Sequence, residues 1–124
     1  VREEMQEFVN PLADLGDKVT KLTTELGMKA FQNPDEVGAA AVDYLRVVGH
    51  LCFAYFFARS AKIALAKKDS SDPFYTAKLA TARFYFAKLL PETAGLIRTA
   101  RAGSSAQARP KSGSSSCSRK RIRR

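Results

Sequence analysis

Three Asx-Pro pairs punctuate the chain: Asn10-Pro11, Asn33-Pro34 and Asp72-Pro73. They constrain it more than any other feature, because each is a helix start signal. An Asn or Asp side chain accepts from the free N–H groups of a first turn, and proline fits the first helical position because it has no N–H to lose. Asp35 and Glu36 add negative charge at the positive end of the second segment. The pairs divide the chain into segments of helical length, and apolar periodicity says what each segment does.

The first helix is predicted from about Pro11 to Phe31. Leu12, Leu15, Val19, Leu22 and Leu26 recur at alternating spacings of three and four, one apolar stripe among charges such as Asp14, Lys18 and Glu25. The second is predicted from about Pro34 to Lys67. One stripe is Val37, Ala41, Tyr44, Val48, Leu51, Tyr55 and Ala58. The opposite face begins polar, with Asp43, Arg46 and His50, and continues as Phe53 and Phe57. Between Leu51 and Ala58 this helix is apolar all round, and such a helix is normally buried on every side. As a membrane span it falls short: the uncharged run from Val47 to Ala58 lies between Arg46 and Arg59, against the ~20 residues a bilayer requires. The third helix is predicted from about Pro73 to Ala102, with Gly103 as its C-cap. Tyr75, Leu79, Ala82, Phe86 and Leu89 form its stripe, and Ala77, Ala80, Phe84 and Ala87 a second face of mostly small residues. Pro91 should kink or restart it, leaving Glu92 in a new first turn.

Beyond Gly103 the composition changes. Residues 104–124 hold seven cations, no acid, and Ile122 as the one large apolar side chain. Such a segment cannot bury enough surface to order itself. The expected architecture is therefore all-α: an up-down bundle of three long helices over residues 1–103, with a disordered basic tail over 104–124. The tail also explains the net charge of +9: the preceding residues carry fourteen cations against twelve acids, a net of +2. The domain is nearly balanced, which argues against nucleic acid as its partner. The tail's cluster Arg119–Arg124 resembles a nuclear-localisation or nucleic-acid-binding run but interleaves no aromatic to stack on bases. The start, Val1 to Glu7, has no signal-peptide pattern and does not begin with methionine, so the chain reads as a piece of something longer.

Catalytic chemistry is hard to find. There is no glycine-rich phosphate loop and no nucleophile elbow, and His50 is the lone histidine. Cys52 and Cys117 cannot build a disulfide framework. Cys52, in an apolar run, should be a buried thiol, which suits a reducing compartment and a cytoplasmic protein. Glu92 reads as a first-turn acid, and Asp43 with Arg46 as an ion pair on one face. No catalytic, cofactor-binding or metal-ligating residue is assigned. Three antiparallel helices can hide three stripes but not also Phe53 and Phe57 on the back of the second. That surplus makes Arg46, His50, Phe53 and Phe57 the candidate interface.

The segments DYLRVVGHLCFAYFFARSAKIAL (Asp43–Leu65) and DPFYTAKLATARFYFAKLLPETAGLIRTARAG (Asp72–Gly103) resemble the accessory C-terminal domain of one branch of the acyl-CoA dehydrogenases. That branch is the acetyl-CoA dehydrogenase-like group, which includes the 3-methylmercaptopropionyl-CoA dehydrogenases. The resemblance covers most of residues 5–103. It implies a parent flavoenzyme that oxidises an acyl-CoA thioester at its α,β carbons, a glutamate taking the α proton and FAD the β hydride. It places FAD and that glutamate in upstream domains, with no cofactor in this chain. It implies as partners those catalytic domains and further copies of the parent. Two other readings remain: a free-standing helical module that self-associates through Phe53 and Phe57, and a small basic nucleic-acid-binding protein driven by the tail.

Overall fold

The computed structural model describes residues 2–107. Helix α1 spans Gln6–Gln32, α2 spans Asp35–Ala66 and α3 spans Pro73–Phe84. One π-helical turn, Tyr85–Leu89, follows α3 directly, then α4 spans Glu92–Arg101 and a 3-10 turn covers Ser104–Gln107. Among the described residues there is no strand. α3, the π turn and α4 act as one rod, so the architecture is the expected all-α, three-rod, up-down-up bundle. Its directions are fixed by two ion pairs. Glu7 of α1 meets Arg83, and Glu25 of α1 meets Arg101, both across a separation of 76 residues. α1 and the third rod therefore run parallel in one register, and α2 runs against both.

Two of the three Asx-Pro signals work as helix starts. The Asp72 side chain accepts from the Phe74 N–H at 2.9 Å, with Pro73 opening α3. The Asn33 side chain accepts from the Asp35 N–H at 3.1 Å at the start of α2. Asn10-Pro11 does not start α1, which begins at Gln6 with Pro11 inside it. The reason is tertiary. Phe8 is fully buried and meets Phe86 edge-on at 5.3 Å. Burying a Phe side chain contributes ~1.5–3 kcal/mol, which outweighs the one backbone bond Pro11 cannot make. At the other end Gly103 terminates α4 at φ +80°, a conformation only glycine adopts freely. The Glu36 carboxylate accepts there from the Ser104 hydroxyl and N–H, and those bonds hold its carboxyl below the ordinary value. The 3-10 turn Ser104–Gln107 follows Gly103 directly. The remainder of the tail, with Cys117 and the Arg119–Arg124 cluster, lies outside the described residues.

The core of α2 lies between the two faces expected from its sequence. Its buried residues are Ala40, Val47, Ala54, Ala58, Ala61, Ala64 and Leu65. Leu15, Val19 and Leu22 of α1 pack there from one side, and Tyr85, Leu90, Leu96 and Ile97 from the other. Tyr44, Val48 and Leu51 are half-buried, but Val37, Ala41 and Tyr55 of the same predicted stripe are exposed. Cys52, expected inside, is exposed. In the third rod the stripe holds through Ala82 and Phe86 and then shifts. The π turn, with Leu90 N–H bonded to Tyr85 O five residues back, contains an extra residue. Leu90 takes the inward place and Leu89 is exposed. α4 restarts after Pro91, as expected. By length and composition α2 is apolar enough to cross a membrane, with mean hydropathy 1.3 over 18 residues. Every 20-residue stretch of it nevertheless contains at least two of Asp43, Arg46, Arg59 and Lys62.

Leu22→Ala is expected to cost about 2–5 kcal/mol, the range for deleting a core leucine. Phe31→Ala, at a ring 90% exposed, should change stability by less than about 0.5 kcal/mol. Chemical denaturation of the whole chain measures both; equal losses would move the core from where it is described here.

Candidate interaction site

Three of the four residues expected at the interface meet a fifth, Tyr85, and the other, Arg46, is joined to them through Glu92. The three, His50, Phe53 and Phe57, lie on the side of α2 that meets the third rod, where the π turn sets Tyr85 facing them. Phe57 stacks on the Tyr85 ring at 4.6 Å between centroids, and Phe53 approaches its edge at 6.4 Å. The Tyr85 hydroxyl donates to the His50 carbonyl at 3.1 Å and lies 2.9 Å from His50 Nδ1. A hydroxyl has one hydrogen to give and a carbonyl can only accept, so Nδ1 is the donor in the second bond. His50 Nε2 then faces Glu92 at 3.7 Å, and Glu92 is bound by Arg46. Burial, with the Glu92 carboxylate nearby, pushes the Tyr85 phenol up to about 12.

Two expectations are corrected here. Phe57 is half-buried and packs against both core clusters, so its ring is occupied by this chain's own third rod. Arg46 pairs with Glu92 of α4 rather than with Asp43, so Glu92 ties two helices together besides opening a new first turn. Phe53 stays exposed, and Arg46 with it. Tyr85 escaped the sequence reading because the stripe was counted at α-helical spacing through Phe86. The signal available was a buried-stripe tyrosine five residues before Leu90 and just ahead of Pro91.

The cluster positions rather than reacts. Tyr85 has both hydrogen-bonding capacities in use and keeps its proton, and no nucleophile faces a base. Among the described residues no group of three His, Cys, Asp or Glu side chains could hold a metal. Several hollows open on the surface, and one of about 700 Å³ lies beside Thr24, Glu25 and Met28 of α1. The two along the outer side of α1 and α2, about 520 and 510 Å³, are open apolar grooves lined by residues such as Leu26, Val37 and Leu45, or Leu12, Cys52 and Phe56. The polar one, about 320 Å³, lies between Lys29, Asn33 and Gly103. Three of its polar side chains are already bonded: Lys29 to the Arg101 carbonyl, Glu36 and Asn33 to Ser104.

The sequence family described as "Acetyl-CoA dehydrogenase C-terminal like" matches residues 1–109. The chain belongs to that family. The match reaches beyond the resemblance seen in the sequence at both ends, and it takes in the Ser104–Gln107 turn. It makes this a C-terminal domain of an acyl-CoA dehydrogenase, part of a larger enzyme. The comparison with curated proteins finds no match.

Phe57→Ala is expected to destabilise the chain by about 3 kcal/mol, and Phe53→Ala by less than about 1 kcal/mol. Tyr85→Phe strands His50 Nδ1 and should cost about 1–3 kcal/mol. It should also change the alkaline limb. A phenol whose folded value is raised stabilises the fold fully below its ordinary 10 and loses that contribution as pH rises toward about 12. The wild type should therefore lose stability through that window more steeply than Tyr85→Phe. Parallel thermal-midpoint curves for the two would refute the assignment.

Proposed function

We propose that this chain is the helical C-terminal domain of a FAD-dependent, cytoplasmic acyl-CoA dehydrogenase of the 3-methylmercaptopropionyl-CoA dehydrogenase branch, and that it works by packing on the catalytic body. The family match over residues 1–109 carries the reading. The side of α2 with Arg46, His50 and Phe53 is the proposed contact with that body. Exposed Phe74, Phe84 and Leu89 lie on the third rod, and the body has apolar surface to cover there. FAD and the catalytic glutamate belong to the body, as the family resemblance implies.

Two measurements test this. The chain purified alone should show no flavin absorbance and no acyl-CoA oxidation; a yellow protein would overturn the reading. The catalytic body encoded upstream, expressed separately, should bind the chain, and Phe53→Asp should weaken that binding at least tenfold. Binding unaffected by Phe53→Asp would move the contact elsewhere.

A further inference from the structure

The outward side of α2 carries a second pattern that this chain does not use. Gly38, Val42, Leu45, Gly49, Cys52, Phe56, Arg59 and Ile63 recur at spacings of four and three without a break. That is a heptad seam, the spacing with which one helix packs along another. It lies opposite Val47 and Ala54, which face the core. Val42 and Leu45 are each 71% exposed, Phe56 60% and Ile63 57%. A Cβ added at Gly38 or Gly49 would meet nothing within 4 Å. Neither glycine is needed by the packing of this chain, although glycine weakens a helix interior.

We infer that the seam pairs with the same seam of a second copy, α2 against α2 in antiparallel orientation, about a two-fold axis between Gly49 and Cys52. Three features of the seam select that occupant and direction. The layers complement one another in size: Gly38 meets Ile63 of the other copy, Gly49 meets Cys52, and Leu45 meets Phe56. A parallel pair would set glycine against glycine at Gly38 and Gly49 and leave two layers empty. The charges point the same way. Asp35 stands at the start of α2 and Lys67, which donates to the Tyr75 hydroxyl of its own chain, just beyond its end, so the antiparallel pair brings each acid to the end of α2 where the other copy's base lies. The parallel pair would set Asp35 on Asp35, Arg59 on Arg59 and Lys67 on Lys67. Arg59 is the seam's one charged member and lies over the Tyr55 ring at 5.7 Å. Antiparallel pairing sets it against Val42, and a single polar seam residue of this kind fixes register. The seam lies beside the Arg46–Phe53 side, with Phe53 at their border.

The test uses the whole chain and does not depend on the flavoenzyme reading. Light scattering over a dilution series up to about 1 mM should give a mass approaching twice 13.6 kDa. Leu45→Asp and Gly49→Leu should each return the chain to a monomer with unchanged helicity, since both sites face open space. Direction is read by cross-linking in a Cys52→Ser, Cys117→Ser background. A bismaleimide of about 8–10 Å, the distance between packed helices, should join Gly38→Cys to Ile63→Cys when the two variants are mixed, and neither to itself. A chain that stays monomeric throughout overturns the inference. So does a dimer that survives both seam variants, or one in which Gly38→Cys links to itself.

Discussion

Along the inward side of α2 run Ala40, Ala54, Ala58, Ala61 and Ala64, all buried, with Val47 among them. Their small side chains let two other rods lie close to one helix, and the bulk of the core comes from those rods. Leu15, Val19 and Leu22 enter from α1, and Tyr85, Leu90, Leu96 and Ile97 from the third rod. The close approach brings the Thr23 hydroxyl within 2.8 Å of Tyr44 and the His50 ring within 2.9 Å of the Tyr85 hydroxyl. A larger residue at Ala54 would push a rod away and open the polar contact to that rod. The consequence is an inverted helix, with small residues inward and large ones outward. Val42, Leu45, Phe56 and Ile63 are on the surface because alanine has taken the interior.

That inversion explains what could be read from the sequence and what could not. Helix starts were legible because a cap is local chemistry: Asn33 and Asp72 bond N–H groups two residues away. Asn10-Pro11 carries the same local signal and fails, because Phe8 lies just ahead of it and its burial is worth more than a cap. The faces of α2 were harder. Periodicity alone puts Val37 and Tyr55 inside and Phe57 outside. Neither residue type nor period distinguishes these on a helix that is apolar all round. The surplus face inferred from the sequence exists, but Val42, Leu45, Phe56 and Ile63 make it up, and only Phe53 of the two phenylalanines first named stays exposed beside it.

The π turn has a similar logic at smaller scale. Regular α-helix through residue 91 would place the ring of Pro91 against a carbonyl four residues back. Widening the helix over Tyr85–Leu89 adds a residue where that conflict arises. The same extra residue turns Leu90 inward and lets Tyr85 and Phe86 both face the core, one toward Phe57 and the other toward Phe8. Burying two neighbouring aromatics requires each to have a partner. The phenol supplies the remaining condition, because a buried hydroxyl must be bonded, and His50 offers both a carbonyl and a ring nitrogen. Arg46 and Glu92 then close the cluster toward the surface.

One helix can meet the length and hydropathy of a membrane span and still belong to a helical assembly, and the placement of its polar groups decides between the two. In α2 Tyr44 bonds to α1, His50 to the π turn and Arg46 to α4, while Arg59 lies outward over the Tyr55 ring. The opposite side is apolar but for Arg59 and contains two glycines that open onto empty space. A span would need lipid-compatible side chains around its whole circumference, and Arg46 and Glu92, both well exposed, would face hydrocarbon. A helix lying between its own bundle and a second apolar surface needs this division instead, with polar bonds to the bundle and a smooth, small-and-large seam toward the outside. The family to which the chain belongs makes it part of a larger enzyme, and α2 is divided as a helix between two apolar surfaces would be.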